Sequence, residues 1–335
     1  MAEDVTESVI QQIIEDKLIK RVQISDYIPD AVLEKLNHIF ISRPDISFRV
    51  YGGADKTIGY EDDFNGWNLD FLRFVPDVQN IVIDGFEYKN TNLSILSSLS
   101  NLKSLTLDIY NLRDFSFVKT LPSQLEYLYI DVVLKNGKPV FDCQWLLRFK
   151  NLQSLFLGKL DKNLEAIVRL SQLRELELRS VKNKDLSFLK QMPINDLSIW
   201  WCDGSKIDLT TLSDFRTLRQ LRLIRISKLD DISFVSTLTG LERLDLILLA
   251  NITKMPNLAN LNKLTEVYID NLNKLVDITS LVNAKKLRKV VMSGVKSMTK
   301  ESVYAVLDNP NVEELRCFGG KSEISDIQIN QKNKE

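Results

Sequence analysis

One six-residue phrase, apolar-x-x-apolar-x-apolar, recurs eleven times along this chain. It reads as Val78–Ile83, Leu102–Leu107, Leu125–Ile130, Leu152–Leu157, Leu173–Leu178, Ile194–Ile199, Leu218–Leu223, Leu241–Leu246, Leu264–Ile269, Leu287–Met292 and Val312–Cys317. Successive first positions lie 21 to 27 residues apart. A sequence that repeats at such a step builds one small supersecondary unit per step, and a unit of that size cannot bury an apolar face alone. The units must stack. Each then contacts mainly its neighbours, so one core can run past ordinary domain size. The 335 residues, which would otherwise suggest two globular domains, are therefore expected to form a solenoid.

Within the phrase, the last three residues alternate in, out, in, as a short strand does. In Leu241–Leu246 the three leucines point inward, while Arg243 and Asp245 point outward. Strands from successive repeats stack into a parallel sheet about 4.8 Å apart. The return half has its own phrase, Asp114-Phe-Ser-Phe-Val, Asp185-Leu-Ser-Phe-Leu, Asp231-Ile-Ser-Phe-Val and Asp277-Ile-Thr-Ser-Leu. Its third residue, Ser or Thr, is expected to cap a short helix or 3₁₀ turn by accepting a free backbone N–H.

These phrases resemble the leucine-rich repeat family, and within it the short repeats of internalins and of phosphatase regulatory subunits. The resemblance covers about residues 67–317. It implies an α/β solenoid: a leucine-rich repeat horseshoe with a parallel concave β-sheet and short helices, 3₁₀ turns or loops on the convex side. One departure stands out. The family places Asn three residues after the strand core, whereas this chain has Phe86, Tyr110, Val133, Leu160, Val181, Cys202, Ile226, Leu249, Leu272 and Val295 there. Apolar packing is expected to replace the amide ladder, with altered turn geometry to satisfy the backbone.

The organisation expected is an N-terminal cap with divergent repeats over 1–66, a solenoid of about eleven repeats over 67–320 and a polar, frayed tail over 321–335. In the cap, Ile19–Ile24 matches the strand phrase, and Ile46, Phe48 and Val50 alternate as a strand. Between them Ala31–Ile41 reads as an amphipathic helix after Pro29. A second helix is expected over Thr299–Leu307, stopped by Asn309-Pro310. Two length variations, the Gly-rich loop 52–66 and the turn Lys135–Pro139, are places where repeat scaffolds can carry contacts.

A formal net charge of −1 argues against general nucleic-acid or anionic-membrane binding. The acidic start lacks the basic and apolar regions of a secretory signal, and no apolar run is long enough to span a bilayer, so a cytoplasmic location is expected. Cys143, Cys202 and Cys317 occupy apolar slots in distant repeats and read as buried, unpaired residues. Catalytic and metal sites are not expected. Gly52-Gly-Ala-Asp-Lys-Thr57 lacks the glycine before lysine and the following helix that a phosphate loop needs. His38, the sole histidine, lies in the capping helix, which leaves no Ser-His-acid set and no zinc-ligand spacing. No cofactor is expected, and no enzyme.

The outward columns of the sheet are more informative. They carry Tyr127, Tyr129, Phe156, Trp200, Trp201, Arg222, Ile224, Arg225, Ile247 and Tyr268, rich in the residue types that dominate protein interfaces. Trp201 fits either an exposed position or burial at the turn. Beside them runs a row of aspartates, Asp84, Asp108 and Asp131, from three adjacent strands. Two such charges about 5 Å apart repel by roughly 0.8 kcal/mol in water and about 3 kcal/mol at an effective dielectric near 20. The row is therefore either solvated or supplied with Lys and Arg by a partner. The function expected is a non-enzymatic scaffold, monomeric when free, that binds a protein with a basic patch on its concave face. Two further readings remain open: an immunity- or antitoxin-like inhibitor that masks a toxin or enzyme, and a regulatory or substrate-recruiting subunit of an enzyme complex.

Overall fold

The computed structural model describes residues 5–25, 28–52, 69–87, 93–319, 324 and 327–330. The chain forms two compact units, Met1–Gln172 and Leu173–Glu335, divided between the fourth and fifth phrases. The expected boundaries at 66/67 and 320/321, and the loop 52–66 apart from Gly52, lie outside the described residues.

The first unit opens with helix α1 (Glu7–Glu15), strand β1 (Arg21–Ile24), helix α2 (Asp30–Ser42) and strand β2 (Ser47–Tyr51). Helix α1 was not expected from the sequence. Thr6 caps it by accepting the Val9 N–H at 3.3 Å. Its C-terminal end is held by Arg43, only 5% exposed. The Arg43 guanidinium donates to the carbonyls of Ile14, Asp16 and Ile19 and pairs with Asp45 at 2.7 Å. A cation thus meets the carbonyls left open at a helix end. His38 is exposed on α2. Strands β3 (Asn80–Glu87), β4 (Ser104–Tyr110), β5 (Tyr127–Val133) and β6 (Ser154–Gly158) follow. The strands β1 to β6 pair in parallel and in sequence order.

The second unit continues with β7 (Glu175–Arg179), β8 (Asp196–Trp200), β9 (Gln220–Ile224), β10 (Arg243–Ile247), β11 (Glu266–Asp270), β12 (Lys289–Ser293), a short helix α3 (Lys300–Tyr304) and β13 (Glu314–Phe318). These strands are parallel neighbours in sequence order. The helix expected over 299–307 divides, with α3 passing into a 3₁₀ turn at Ala305–Asp308. Of the tail expected to be frayed, residues 324 and 327–330 are described. Strand β14 (Ile327–Asn330) pairs antiparallel with β13, and Ile324 and Ile327 are buried.

All three apolar positions of every phrase are at most 1% exposed. The returns are 3₁₀ turns, such as Ser116–Lys119, Ser187–Gln191, Ser233–Thr237 and Thr279–Asn283. Their capping differs from the expectation. The acceptor is the aspartate two residues before the expected Ser or Thr. Asp114, Asp185, Asp231 and Asp277 each take the N–H of Ser116, Ser187, Ser233 and Thr279, at 2.7–3.0 Å. An aspartate oxygen that accepts the N–H two residues on forms an Asx turn, in which the side chain mimics a backbone turn.

The slot of the missing amide ladder is apolar and buried at Leu160, Val181, Cys202, Ile226, Leu249, Leu272 and Val295. Tyr110 and Val133 are exceptions. In the seven-residue strands β4 and β5 the alternation runs on, so Ile109 and Val132 are buried instead and Tyr110 is 39% exposed. The backbone is satisfied by a left-handed residue after the strand. Ser180, Trp201, Arg225, Leu248, Asn271 and Gly294 have φ between +49° and +59°. Each donates its N–H to the last carbonyl of the next strand, at 2.8–3.0 Å. All three cysteines are free and buried, and burial pushes the Cys143 thiol far up.

Candidate functional site

The expected surface residues divide between the units. Tyr127, Tyr129, Phe156 and the three aspartates belong to the first. Trp200, Trp201, Arg222, Ile224, Arg225, Ile247 and Tyr268 belong to the second.

In the first unit, Asp84, Asp108 and Asp131 share one register row across β3, β4 and β5. The row is neither bare nor dependent on a partner for all its cations. Arg49 of β2 grips Asp84, Nε to Oδ1 at 2.8 Å and Nη2 to Oδ2 at 2.5 Å. This contact raises the Arg49 pKa against the effect of burial. The same guanidinium donates to Gln23 at 2.9 Å and lies over the Tyr51 ring. Asp131 folds back to accept the Val132 N–H at 2.8 Å. Its carboxylate occupies the space that a Cβ at Gly158 would need, so the row ends there for steric reasons. Tyr127 is half-buried. Tyr129 stacks on Phe156, with centroids 3.9 Å apart and planes 11° off parallel. Phe156 is 2% exposed. It points out of the sheet yet is covered, so it cannot serve as the open anchor the sequence suggested.

In the second unit, two outward columns carry charge. Arg222 Nη2 bonds both oxygens of Asp196, at 2.8 and 2.9 Å. Burial opposes its charge, and Asp196, Glu177 and Asp245 outweigh that effect. Arg243 pairs with Asp245 at 2.9 Å and with Glu266 at 3.3 Å. Asp245 is 4% exposed, so this pair holds a buried carboxylate. Glu177 is left with the less favourable place. Desolvation, with Asp196 and Glu175 nearby, pushes its carboxyl up despite Arg222. Tyr268 is half-buried beside a shallow depression of about 220 Å³ lined by Arg243, Glu266, Tyr268, Lys289 and Val291. Burial and the nearby Asp270 and Asp245 raise its phenol.

The next column is apolar. Trp200, Ile224 and Ile247 stand in register on β8, β9 and β10, all half-buried and all on the outward face. One residue further on, Trp201 is 51% exposed, which decides between the two positions open to it. Arg179 and Arg225 lie over its ring, at 5.6 and 5.1 Å from the centroid. Among the described residues no group of three or more His, Cys, Asp or Glu could hold a metal. No described helix is long and apolar enough to cross a membrane.

No family model and no curated protein matches this chain. Solved structures do. An internalin (inlF) from Listeria monocytogenes is 17% identical, with a TM-score of 0.56 over 96% of this chain and 88% of that chain. The structure of TLR13 in complex with ssRNA13 is 18% identical, with a TM-score of 0.53 over 90% of this chain and 41% of that chain. This chain therefore spans less than half of the TLR13 chain. The chain has the leucine-rich repeat fold.

Within the leucine-rich repeat frame, sequence reasoning missed four residues of these surfaces. Arg49 aligns with Val82, so extending the outward column one strand upstream would have found it. Arg243 lies two residues before Asp245 on one strand face, a pairing that period-2 alternation predicts. Arg179 is 8% exposed and looks like any outward arginine until Trp201 covers it. Leu248, 43% exposed, sits in an apolar run, Ile247-Leu-Leu, where sequence gives no sign of which leucine faces water.

Proposed function

We propose that this leucine-rich repeat protein is a non-enzymatic scaffold that binds another protein on the outer face of its sheet. The observation that supports this best is the row Trp200, Ile224 and Ile247, three large apolar side chains left half-open on consecutive strands. Contiguous apolar surface of this kind, rimmed by polar residues, is the usual mark of an interaction site. The rim here is the ion-paired set Arg222–Asp196 and Arg243–Asp245–Glu266. Such pairs are already organised and need little rearrangement on docking. Two of these arginines are neutralised within the chain, and the formal net charge is −1, which favours a protein partner over nucleic acid. Three free, buried cysteines suit a reducing compartment.

The test is capture from a lysate of the source organism and its neighbours, using the full chain as bait. A stoichiometric protein partner is expected. It should be lost with Ile224→Asp plus Ile247→Asp and retained with Leu18→Asp, a change at a residue 88% exposed in the first unit. Undiminished capture by the folded double variant would rule out the sheet face.

A further inference from the structure

Three successive repeats of the second unit put large side chains where the backbone least favours them. Trp201, Arg225 and Leu248 have φ of +49°, +50° and +54°. The two preceding repeats use Lys159 and Ser180 at the same turn, and the next three use Asn271, Gly294 and Gly319, glycine and asparagine being the residue types that enter the left-handed region at least cost. Burial does not compensate. Trp201 and Leu248 are 51% and 43% exposed, and Arg225 is exposed too. Their backbones are fixed, since each N–H donates to the last carbonyl of the following strand at 2.8–2.9 Å. Strain kept at a rigid, open position is typical of a place where something else binds.

The chemistry of the rim narrows what that is. Trp201 lies between two guanidinium groups, Arg179 and Arg225. Arg179 is nearly covered, while Arg225 is open and has no ion pair among the described residues. Of the nearby charges, Lys228 is paired with Asp203 at 3.3 Å, and Asp270, which accepts from the neutral Asn271 amide at 3.0 Å, keeps its negative charge. Two guanidinium groups at Trp201 thus stand against the one carboxylate of Asp270, and Arg225 is the open cation, with Trp201 and Leu248 on either side of it. An arginine fork binds carboxylate through two parallel N–H donors.

We infer that Trp201, Arg225 and Leu248 receive an acidic segment of a partner protein. A carboxylate of the segment meets Arg225, and an apolar side chain of the segment lies across Trp201 and Leu248. This deepens the sheet-face reading and rests on it only for the partner being a protein. Aromatic and arginine side chains also suit single-stranded nucleic acid, but the third member of the row is leucine, which offers a base nothing to stack on.

The experiment is fluorescence anisotropy of a labelled glutamate–leucine peptide titrated with the full chain. Measurable binding is expected, weakening with added salt. Arg225→Gln and Trp201→Gly should each raise the Kd by about tenfold or more. Neither should lower the Tm, because glycine takes the left-handed turn freely and Arg225 is exposed. No binding by the wild type would overturn the inference. So would equal binding of a glutamine–leucine peptide, tighter binding of a single-stranded oligonucleotide, or an unchanged Kd in Arg225→Gln. The sheet-face reading is decided separately, by partner capture with the Ile224 and Ile247 variants, so either can fail alone.

Discussion

Replacing Asp142 with alanine should cost about 2 kcal/mol, and the loss should fade in acid. Asp142 precedes the 3₁₀ turn Cys143–Arg148. Its Oδ1 accepts the Gln144 N–H at 2.9 Å, and its Oδ2 accepts the Asn163 side-chain amide at 2.8 Å and Lys162 at 3.3 Å. Losing the cap costs about 1 kcal/mol. Leaving the half-buried Asn163 amide without its acceptor adds roughly 0.5–1 kcal/mol. Lys162, 71% exposed in its side chain, adds close to nothing. Burial tends to raise the Asp142 carboxyl, and the Gln144, Asn163 and Lys162 donors outweigh it, so its pKa is lowered. The unfolded chain then takes up the proton first. The stabilisation is whole above the unfolded carboxyl value near 3.9 and disappears as pH falls through the folded value. Urea unfolding of wild type, Asp142→Ala and Asp142→Asn at neutral pH and near pH 2 measures this. Asp142→Asn keeps an acceptor for Gln144 and should lose about half as much. A neutral-pH loss below about 0.5 kcal/mol, or an equal loss in acid, would refute the assignment of the cap.

Three further predictions follow. Asp277→Ala should destabilise by about 1 kcal/mol and Thr279→Ala by clearly less, as read by urea unfolding, because Asp277 supplies the acceptor and Thr279 the N–H. Glu177→Gln should stabilise, on the order of 0.5 kcal/mol, in thermal melts at neutral pH. Its carboxyl is raised, so the charged form is the penalised one, and the gain should vanish once pH falls below the unfolded carboxyl value. Arg49→Gln should cost roughly 2 kcal/mol by removing the partner of a half-buried carboxylate, with Asp84→Asn in the same chain recovering part of it in a double-mutant cycle.

Most of the fold is legible because the core speaks through periodicity. A residue such as Leu244 repeats at Leu221 and Val267, and the repeated pattern fixes strand, face and register together. Helix α1 was missed, although Thr6 precedes Ile10, Ile13 and Ile14 at helical spacing. The cap was misread for a stereochemical reason: Asp and Ser both occupy the phrase Asp231-Ile-Ser, and only geometry shows whose oxygen meets which N–H. The outward surface was legible as a composition and not as an arrangement. Phe156 and Trp200 share the same residue class and the same face, yet Phe156 is covered by a ring at 3.9 Å and Trp200 stays half-open. Pairing across strands, such as Arg49 with Asp84 or Arg222 with Asp196, depends on side-chain reach over distances that sequence spacing of 26 to 35 residues does not encode.

A repeat protein does carry one kind of functional evidence that a single globular domain lacks, because each position has siblings in the same backbone. The left-handed turn after the strand is such a position. From Trp201 to Gly294 its φ varies by only about ten degrees and its N–H makes the same bond, so folding asks the same of each of these repeats. Glycine and asparagine answer that demand directly at Asn271 and Gly294. A tryptophan, an arginine and a leucine answer it at roughly 1–2 kcal/mol each, without compensating burial. The backbone does not require those side chains; Trp201 covers Arg179, while Arg225 and Leu248 stay open. We therefore assign the difference between these three repeats and the next three to the binding proposed for Trp201, Arg225 and Leu248, and the Arg225→Gln and Trp201→Gly titrations decide it.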